Sequence, residues 1–174
     1  IQFRTEPDVK ILLTNDDGIE APGIRALHRA LEGLGDVTTI APYTVQSATS
    51  HGVTFHEPLM VHTTTMDDGS VGHAIDGRPA DCVKVALRSL WAELHGEGTR
   101  PDITISGMNS GANVGINVIY SGTVAAAVES ALARLEAETR RRRRAEAALK
   151  AERERNDRGP AVVEAPAVVP PPAP

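Results

Sequence analysis

Ile11-Leu12-Leu13-Thr14-Asn15-Asp16-Asp17-Gly18 is the stretch that decides the fold of this chain. Its short, continuously apolar run is typical of a strand buried on both faces of a parallel sheet, and we predict a strand over residues 9–14. The run stops at two adjacent carboxylates and a glycine, a combination that also suits a plain turn. If it ends a buried strand, it places two anionic oxygen ligands at one edge of a sheet.

The segment after this strand completes a strand–helix–strand unit. Pro22 suits the first turn of a helix, and Gly33 and Gly35 lie near its end. Apolar residues recur at helical spacing through this helix: Ile24, Leu27, Leu31 and Leu34. A second strand is predicted over residues 36–41, ending at Pro42. A unit of this kind, about thirty residues long, implies a parallel sheet with a right-handed crossover.

The rest of the pattern keeps alternating strands with helices. Residues 43–56 form a polar segment that is too long for a tight connection, which makes it a candidate functional loop. The further predicted elements are a hairpin over residues 58–65 and 71–75 closed by Asp67-Asp68-Gly69-Ser70, a helix from Pro79, a strand over 103–105 and a helix from Thr123. Alternation of this kind indicates the α/β class.

A second apolar run opens into a loop of small residues, Ile105-Ser106-Gly107-Met108-Asn109-Ser110-Gly111-Ala112-Asn113-Val114-Gly115. Its glycines let backbone N–H groups approach an anion closely, and Asn109 adds a neutral oxygen ligand. Together with Asp16 and Asp17 this set suits Mg²⁺ or Mn²⁺ rather than zinc. The loop lacks the Lys-Ser/Thr of a P-loop and the spacing of a dinucleotide fingerprint. The pairing of the two segments favours an enzyme with a metal-and-anion site.

A third segment, Tyr120-Ser121-Gly122-Thr123-Val124, follows a few residues later. Ser121 suits the N-cap of a helix, whose first turn presents free N–H groups and the positive end of the helix dipole. This segment is either a second anion-binding element or an ordinary helix cap.

The charge is unevenly distributed along the chain. Residues 1–133 carry 8 Lys and Arg against 16 Asp and Glu, whereas residues 134–158 carry 10 against 6. The acidic body repels polyanions and disfavours long nucleic acid as a ligand. A small phosphate ester can still bind if a divalent cation offsets the carboxylates.

Five segments stand in one order along the chain: Leu12-Leu13-Thr14-Asn15-Asp16-Asp17-Gly18, Ala41-Pro42 with Gln46-Ser47, Gly77-Arg78-Pro79-Ala80-Asp81-Cys82-Val83, the loop 106–115, and Tyr120-Ser121-Gly122-Thr123-Val124-Ala125-Ala126-Ala127. Over residues 9–132 they resemble the SurE family of survival-protein nucleotidases, which are metal-dependent phosphatases of nucleoside monophosphates. The resemblance implies a three-layer Rossmann-like parallel sheet and a homo-oligomer, either a dimer or a tetramer.

The resemblance also implies roles for particular residues. One divalent ion, Mg²⁺ or Mn²⁺, is expected on four oxygen ligands: Asp16, Asp17, Ser47 and Asn109. Substrate phosphate contacts are expected from Ser106, Gly107, Asn113, Ser121, Gly122 and Thr123. Asp16 or Asp17 is then the catalytic carboxylate that orients or deprotonates the attacking water, and the sequence leaves open which.

The chain departs from the family at Met108, which replaces a usual aliphatic residue, and in two further places. Arg78 stands where the family has a small threonine before Pro-x-Asp-Cys. Family members also continue past the position of Leu132 with further strands and an oligomerising arm. Here we expect a C-terminally incomplete core over residues 1–133, a charged Arg/Glu/Ala-rich helix over 134–158 and a disordered Pro/Ala-rich tail over 159–174.

These departures motivate two other hypotheses. The chain could be a catalytically inactive interaction protein that inherits the motifs and binds a partner through the basic helix. Nucleic-acid binding through residues 140–144 is a third hypothesis, which requires strongly salt-dependent retention on DNA or RNA.

The remaining features are ordinary ones. Cys82 is the single cysteine, which excludes an internal disulfide and a multi-cysteine zinc site and suits the reducing cytoplasm; we interpret it as packing rather than as a nucleophile. No apolar stretch is long enough to span a membrane. Of the six histidines, only His51, in the long polar loop, is a candidate for a functional role.

Overall fold

The computed structural model describes residues 9–67 and 69–157 of the chain. Within them five strands form one sheet: β1 Lys10–Thr14, β2 Asp36–Pro42, β3 Val61–Thr65, β4 Val71–Ile75 and β5 Ile103–Ser106. The strand order is β3-β4-β2-β1-β5. β1 pairs in parallel with both β2 and β5, and β2 pairs in parallel with β4. The predicted α/β fold is confirmed.

The predicted hairpin adds one antiparallel strand to this parallel core. β3 pairs antiparallel with β4 from Val61↔Ile75 to Thr65↔Val71, so the edge strand begins at Val61 rather than at residue 58. Its turn is closed by the Met66 N–H, which donates to the Ser70 carbonyl at 2.9 Å. Asp68 of the predicted turn lies outside the described residues.

Four α-helices accompany the sheet: α1 Pro22–Leu31, α2 Pro79–Val85, α3 Trp91–His95 and α4 Gly122–Asp157. A π-helical stretch, Ala86–Leu90, joins α2 to α3, and a 3₁₀ helix, Gly115–Tyr120, precedes α4. Prolines begin α1 and α2 as predicted. α1 ends at Leu31, before Gly33 in the left-handed region (φ +83°), so Leu34 lies beyond the helix and is 67% exposed.

Successive side chains of β1 point to opposite faces of the sheet, and each face is covered by a separate layer. Ile11 and Leu13 face one side of the sheet, where they pack with Ile24 and Leu31 of α1. Leu12 faces the other side, where its cluster contains residues of β2, β4 and the α2–α3 region: Ile40, Ile75, Cys82, Ala86, Leu90 and Trp91. Both faces of the sheet are therefore covered, which confirms the expected three-layer arrangement and explains why β1 is apolar on both sides.

The chain separates into two compact units, with the division after Leu135. The described part of the second unit, residues 136–157, is helical and exposed. Its ion pairs follow i, i+4 spacing: Glu136–Arg140 at 3.5 Å, Arg142–Glu146 at 3.1 Å and Lys150–Glu154 at 3.8 Å. Exposed pairs of this kind each contribute only a few tenths of a kcal/mol, roughly. The predicted tail over 159–174 lies outside the described residues, and the domain boundary at residue 133 stays a prediction.

No helix in the described part of the chain combines the length and the apolar character that a membrane crossing requires.

Candidate active site

Two predicted segments meet at the carboxyl end of the sheet. β1 is flanked by β2 on one side and β5 on the other, so the order in which strands are added to the sheet reverses between β1 and β5. In open α/β sheets, ligands bind at such a point, outside the carboxyl ends of the strands. There the Asp17 carboxylate accepts two hydrogen bonds from Ser110, one from its backbone N–H at 2.9 Å and one from its hydroxyl at 3.2 Å. The Asp-Asp-Gly turn and the glycine-flanked loop are thus in direct contact.

Asp16 is held by the third predicted segment. Its side chain is buried, with 4% of its surface exposed, and its Oδ1 accepts a hydrogen bond from the Thr123 hydroxyl at 2.5 Å. Gly122 packs against the same carboxylate, since a Cβ added there would lie 2.8 Å from the Asp16 Cβ. The start of α4 and the end of β1 therefore fit together only with glycine at position 122.

Ser121 acts as the N-cap of α4. Its hydroxyl oxygen accepts a hydrogen bond from the Val124 N–H at 3.1 Å, which is the ordinary capping role considered for this residue. Helix geometry leaves the N–H groups of Gly122 and Thr123 without intrahelical acceptors beside Asp16. Capping and anion binding are compatible here, because the cap uses the side chain while the free N–H groups point out of the helix start.

Ser106 and Gly107 join the three segments at the end of β5. The Ser106 hydroxyl donates to the Thr123 carbonyl at 2.7 Å, and the Gly107 N–H donates to the Thr14 carbonyl at 2.8 Å. Gly107 has a φ of +146°, a region that favours glycine, and the Gly107–Met108 peptide bond is cis. Ser106 therefore contacts the start of α4 rather than standing free.

Asn109 is oriented by its own loop. Its amide nitrogen donates to the Gly111 carbonyl at 2.8 Å. This bond leaves the Oδ1 atom without a donor among residues 9–67 and 69–157, as a metal ligand requires. Its neighbour Ser110 connects the same loop to Asp17 through two hydrogen bonds.

The structure does not bring Ser47 and Asn113 into contact with the other candidates. Ser47 is exposed, and only its neighbour is attached to the site, through the Gln46 N–H that donates to the Asp16 carbonyl at 2.7 Å. Asn113 is half-buried and forms no hydrogen bond with another candidate in the described part of the chain.

The donor chemistry of the site fits a hard divalent cation. Asp16, Asp17 and Asn109 present carboxylate and amide oxygens only. Among the described residues no group of three His, Cys, Asp or Glu side chains could hold a metal, so a site here needs neutral oxygens beside the two carboxylates. At the end of β1 the buried oxygens Thr14 Oγ1 and Asn15 Oδ1 have no hydrogen-bond partner in the described chain, and such unpaired buried atoms are rare in native proteins.

A buried ionic cluster that the sequence did not reveal holds the long polar loop. Glu129 of α4 is buried; its carboxylate accepts from the Lys84 ammonium at 2.5 Å and lies 2.8 Å from His51 Nε2. Burial alone raises the pKa of Glu129, but the hydrogen bonds and positive charges of Lys84 and His51 outweigh burial and bring the pKa below its ordinary value. The one trace of this cluster in the sequence is the helical spacing that places Glu129 on the same face of α4 as Ala125 and Ala126, which the structure shows to be buried.

Asp81 fixes the other end of that loop. Its carboxylate accepts from the Thr54 N–H at 2.9 Å and from the Thr54 hydroxyl at 2.8 Å, and also from the Arg78 N–H at 3.0 Å, which caps α2. The Arg78 side chain lies over Gly52, where an added Cβ would sit 2.1 Å from its Nη1. The unusual Arg78 is therefore accommodated by a glycine of the loop.

Cys82 is fully buried in the core beside Leu12, and burial raises the pKa of its thiol. A buried, protonated thiol packs but does not attack, which supports the interpretation made from the sequence.

The chain matches the family model described as "Survival protein SurE" over residues 11–139. It is 50% identical over 124 residues to the 5'-nucleotidase SurE of Syntrophobacter fumaroxidans, covering 71% of this chain and 47% of that protein. It is 48% identical over 124 residues to the 5'-nucleotidase SurE of Rhodopirellula baltica, covering 71% of this chain and 47% of that protein.

Among solved structures, the chain resembles the crystal structure of the SurE protein from Aquifex aeolicus, with a TM-score of 0.60 and 41% identity over 71% of this chain and 46% of that one. The chain spans about half the length of the curated relatives that it matches. With the family match covering most of the chain, this protein belongs to the SurE family.

Proposed function

We propose that this protein is a metal-dependent nucleotidase, a phosphomonoesterase that hydrolyses nucleoside monophosphates to nucleoside and phosphate. The observation that carries the proposal is the convergence on the Asp16–Asp17 pair of two later segments, through Ser110 and Thr123. The relatives named 5'-nucleotidase SurE support the same activity over the matched half of their length.

One divalent cation, Mg²⁺ or Mn²⁺, is expected on Asp16, Asp17 and Asn109, with Ser47 as the fourth ligand. When bound, such an ion polarises a phosphoryl oxygen and lowers the pKa of a bound water. Asp16 is buried against Thr123, whereas Asp17 is half-buried and borders an open pocket. Asp17 is therefore the carboxylate better placed to orient the attacking water.

The substrate phosphate is expected between the small-residue loop and the start of α4. Its contacts are proposed from Ser106, Gly107, Asn113, Ser121, Gly122 and Thr123. The free N–H groups and dipole of α4 favour a dianion at that position and stabilise the charge that develops during transfer. In the reaction the water oxygen forms a bond to phosphorus, the ester P–O bond breaks, and a proton passes to the nucleoside oxygen that leaves.

The test is phosphate release from adenosine monophosphate by the full chain, with Mg²⁺ or Mn²⁺ and then with EDTA. We expect release that EDTA abolishes and that Asp16→Asn lowers by about 100-fold or more, as for other groups acting directly in a transition state. Circular dichroism of both proteins controls for folding. Full activity in Asp16→Asn contradicts the assignment.

A folded protein that releases no phosphate with either metal supports the other hypothesis instead, an inactive SurE-like interaction protein. Light scattering after size exclusion chromatography tests the expected homo-oligomer. We also expect a cytoplasmic location, with which the free, buried thiol of Cys82 is consistent.

A further inference from the structure

The loop segment 46–51 bridges two elements of the candidate site. At its start the Gln46 N–H donates to the Asp16 carbonyl at 2.7 Å, which attaches the segment to the end of β1. Near its end the Ser50 N–H donates to the Tyr120 carbonyl at 3.0 Å, immediately before the cap of α4. The backbone of the segment is therefore held between the turn that follows β1 and the residues that lead into α4.

The segment keeps a backbone conformation that its own residues disfavour. Ala48 has a φ of +57° and Ser50 a φ of +53°, which is the left-handed region that suits glycine. Within the segment one side-chain bond supports this shape, from the Thr49 hydroxyl to the Gln46 carbonyl at 2.9 Å. Strained residues of this kind persist only where surrounding contacts impose the conformation. The segment therefore depends on contacts from outside it, at its end as well as at its start.

His51 supplies such a contact through the cluster that it forms with Lys84 and Glu129. The Glu129 side chain is only 9% exposed, and its two oxygens have different partners. Oε1 accepts from the Lys84 ammonium at 2.5 Å, and Oε2 lies 2.8 Å from His51 Nε2. A carboxylate only accepts hydrogen bonds, so His51 Nε2 carries the proton of the second pair. Because a buried charge is costly without its partners, Glu129 holds His51 in place, and with it the end of the segment.

Glu129 and Gly122 lie on the same face of α4. They are seven positions apart, which is nearly two turns and about 10 Å along the helix axis. Gly122 packs against the Asp16 side chain, since an added Cβ would lie 2.8 Å from the Asp16 Cβ. One face of one helix therefore positions both the Asp16 carboxylate and, through His51, the segment that carries Ser47.

We propose that His51 is a positioning residue for the metal site. Bound to Glu129, it holds the loop segment in the conformation that presents Ser47 to the two carboxylates. Ser47 is exposed and makes no hydrogen bond to either carboxylate in the described part of the chain, so the position of its hydroxyl depends on the backbone of the segment. His51 touches neither the substrate nor the ion in this role, because it acts through Ser47. The proposal rests on the proposed function, since the cation that Ser47 serves is the one expected there.

Binding of Mn²⁺ to the full chain without substrate tests this role, with the free ion measured by electron paramagnetic resonance. We expect His51→Ala to raise the Kd for Mn²⁺ about tenfold, as is usual for the loss of a group that supports a metal ligand. His51→Gln should stay within about threefold of wild type, because its amide N–H can still donate to Glu129. The matched control is His56→Ala, since His56 lies in the same polar loop, is exposed and makes no hydrogen bond among the described residues. A Kd for His51→Ala equal to that of wild type overturns the proposal.

A double-mutant cycle separates positioning from a general loss of structure. If His51 acts through Ser47, the double variant Ser47→Ala/His51→Ala should bind Mn²⁺ within about twofold of Ser47→Ala alone. Losses that add, or a Ser47→Ala variant with the affinity of wild type, overturn the proposal. In His51→Ala the Glu129 carboxylate keeps Lys84 as a partner, so we expect the fold to be kept, which circular dichroism verifies.

The same measurements distinguish a failure of this role from a failure of the proposed function. A wild-type protein that binds Mn²⁺, gives the expected cycle and releases no phosphate keeps the positioning role and rejects the nucleotidase. A wild-type protein that binds no Mn²⁺ rejects both.

Discussion

The Thr123 hydroxyl donates to the Asp16 carboxylate at 2.5 Å, and this bond joins two buried residues 107 positions apart. Asp16 ends a central strand, and Thr123 lies in the first turn of the helix that follows β5. The bond ties the helix start that we expect to face the phosphate to the carboxylate that we expect to hold the cation. Both groups are consequently placed by one contact.

Thr123→Val tests that contact, because valine keeps the shape of threonine but removes the donor. A buried acceptor left without its donor costs about 1–3 kcal/mol. We expect a lower midpoint of thermal unfolding and at least about a tenfold loss of phosphate release, since a misplacement of about 1 Å at a catalytic group can slow the reaction about 100-fold. Both are measured on the full chain with saturating Mn²⁺.

Thr123→Ser is the matched control, since serine retains the hydroxyl. We expect most of the activity to persist in Thr123→Ser. A loss in Thr123→Ser as large as that in Thr123→Val would show that keeping the hydroxyl does not preserve the activity, which contradicts the role given to the hydrogen bond.

Gly122→Ala should disturb the same junction by steric overlap. The new Cβ would lie 2.8 Å from the Asp16 Cβ and 2.9 Å from the Pro79 Cγ, so the start of α4 must move away from β1. Overpacking of this kind costs about 1–3 kcal/mol, which denaturant unfolding can measure. Gly111→Ala provides the comparison, because its nearest neighbour would be 3.6 Å away and we expect a smaller effect on stability.

Local patterns predicted much of the fold. The apolar run ending at Thr14 identified β1, and prolines at the first helical position identified the starts of α1 and α2. The meeting of the Asp16–Asp17 turn with the later loop was also predictable, because the carboxyl ends of neighbouring parallel strands share one edge of a sheet.

Other features depend on tertiary contacts that leave no local pattern. Glu129 joins Lys84, 45 positions away, to His51, 78 positions away, and no periodicity relates the three. The π-helical stretch Ala86–Leu90 interrupts a helix whose apolar spacing reads as regular α-helix. The donor to Asp16 is likewise set by packing, since any of several hydroxyls near the start of α4 suited that role from the sequence.

Ser47→Ala tests whether Ser47 is a metal ligand, as the family resemblance implies although the contacts of the structure do not indicate it. Ser47 is exposed, and in the described part of the chain it makes no hydrogen bond to Asp16, Asp17 or Asn109. If Ser47 completes the metal site, its loss should raise the Mn²⁺ concentration for half-maximal activity by about tenfold, which is the smallest effect usual for the loss of a group that supports a metal. The kcat at saturating Mn²⁺ should stay nearly unchanged. An unchanged metal titration would remove Ser47 from the ligand set.

The Glu129 cluster predicts a specific dependence of stability on pH. The folded state holds the pKa of Glu129 below its ordinary value of 4.5 through Lys84 and His51, so the unfolded chain binds the proton more tightly. The stabilisation is therefore fully present above about pH 4.5 and is lost as the pH falls through the folded-state pKa. Glu129→Gln removes the charge but keeps an oxygen that can accept from Lys84.

At neutral pH we expect Glu129→Gln to lower the free energy of unfolding by roughly 1–2 kcal/mol and Glu129→Ala by more, because alanine also removes the hydrogen bonds to charged groups. The gap between wild type and Glu129→Gln should shrink as the pH falls below about 4.5, because the charge of the wild-type carboxyl then stabilises the folded state less and less. Urea unfolding at pH 7 and near pH 3.5 measures both differences. A gap that stays constant between these pH values would mean that Glu129 stabilises the loop by packing and not by charge.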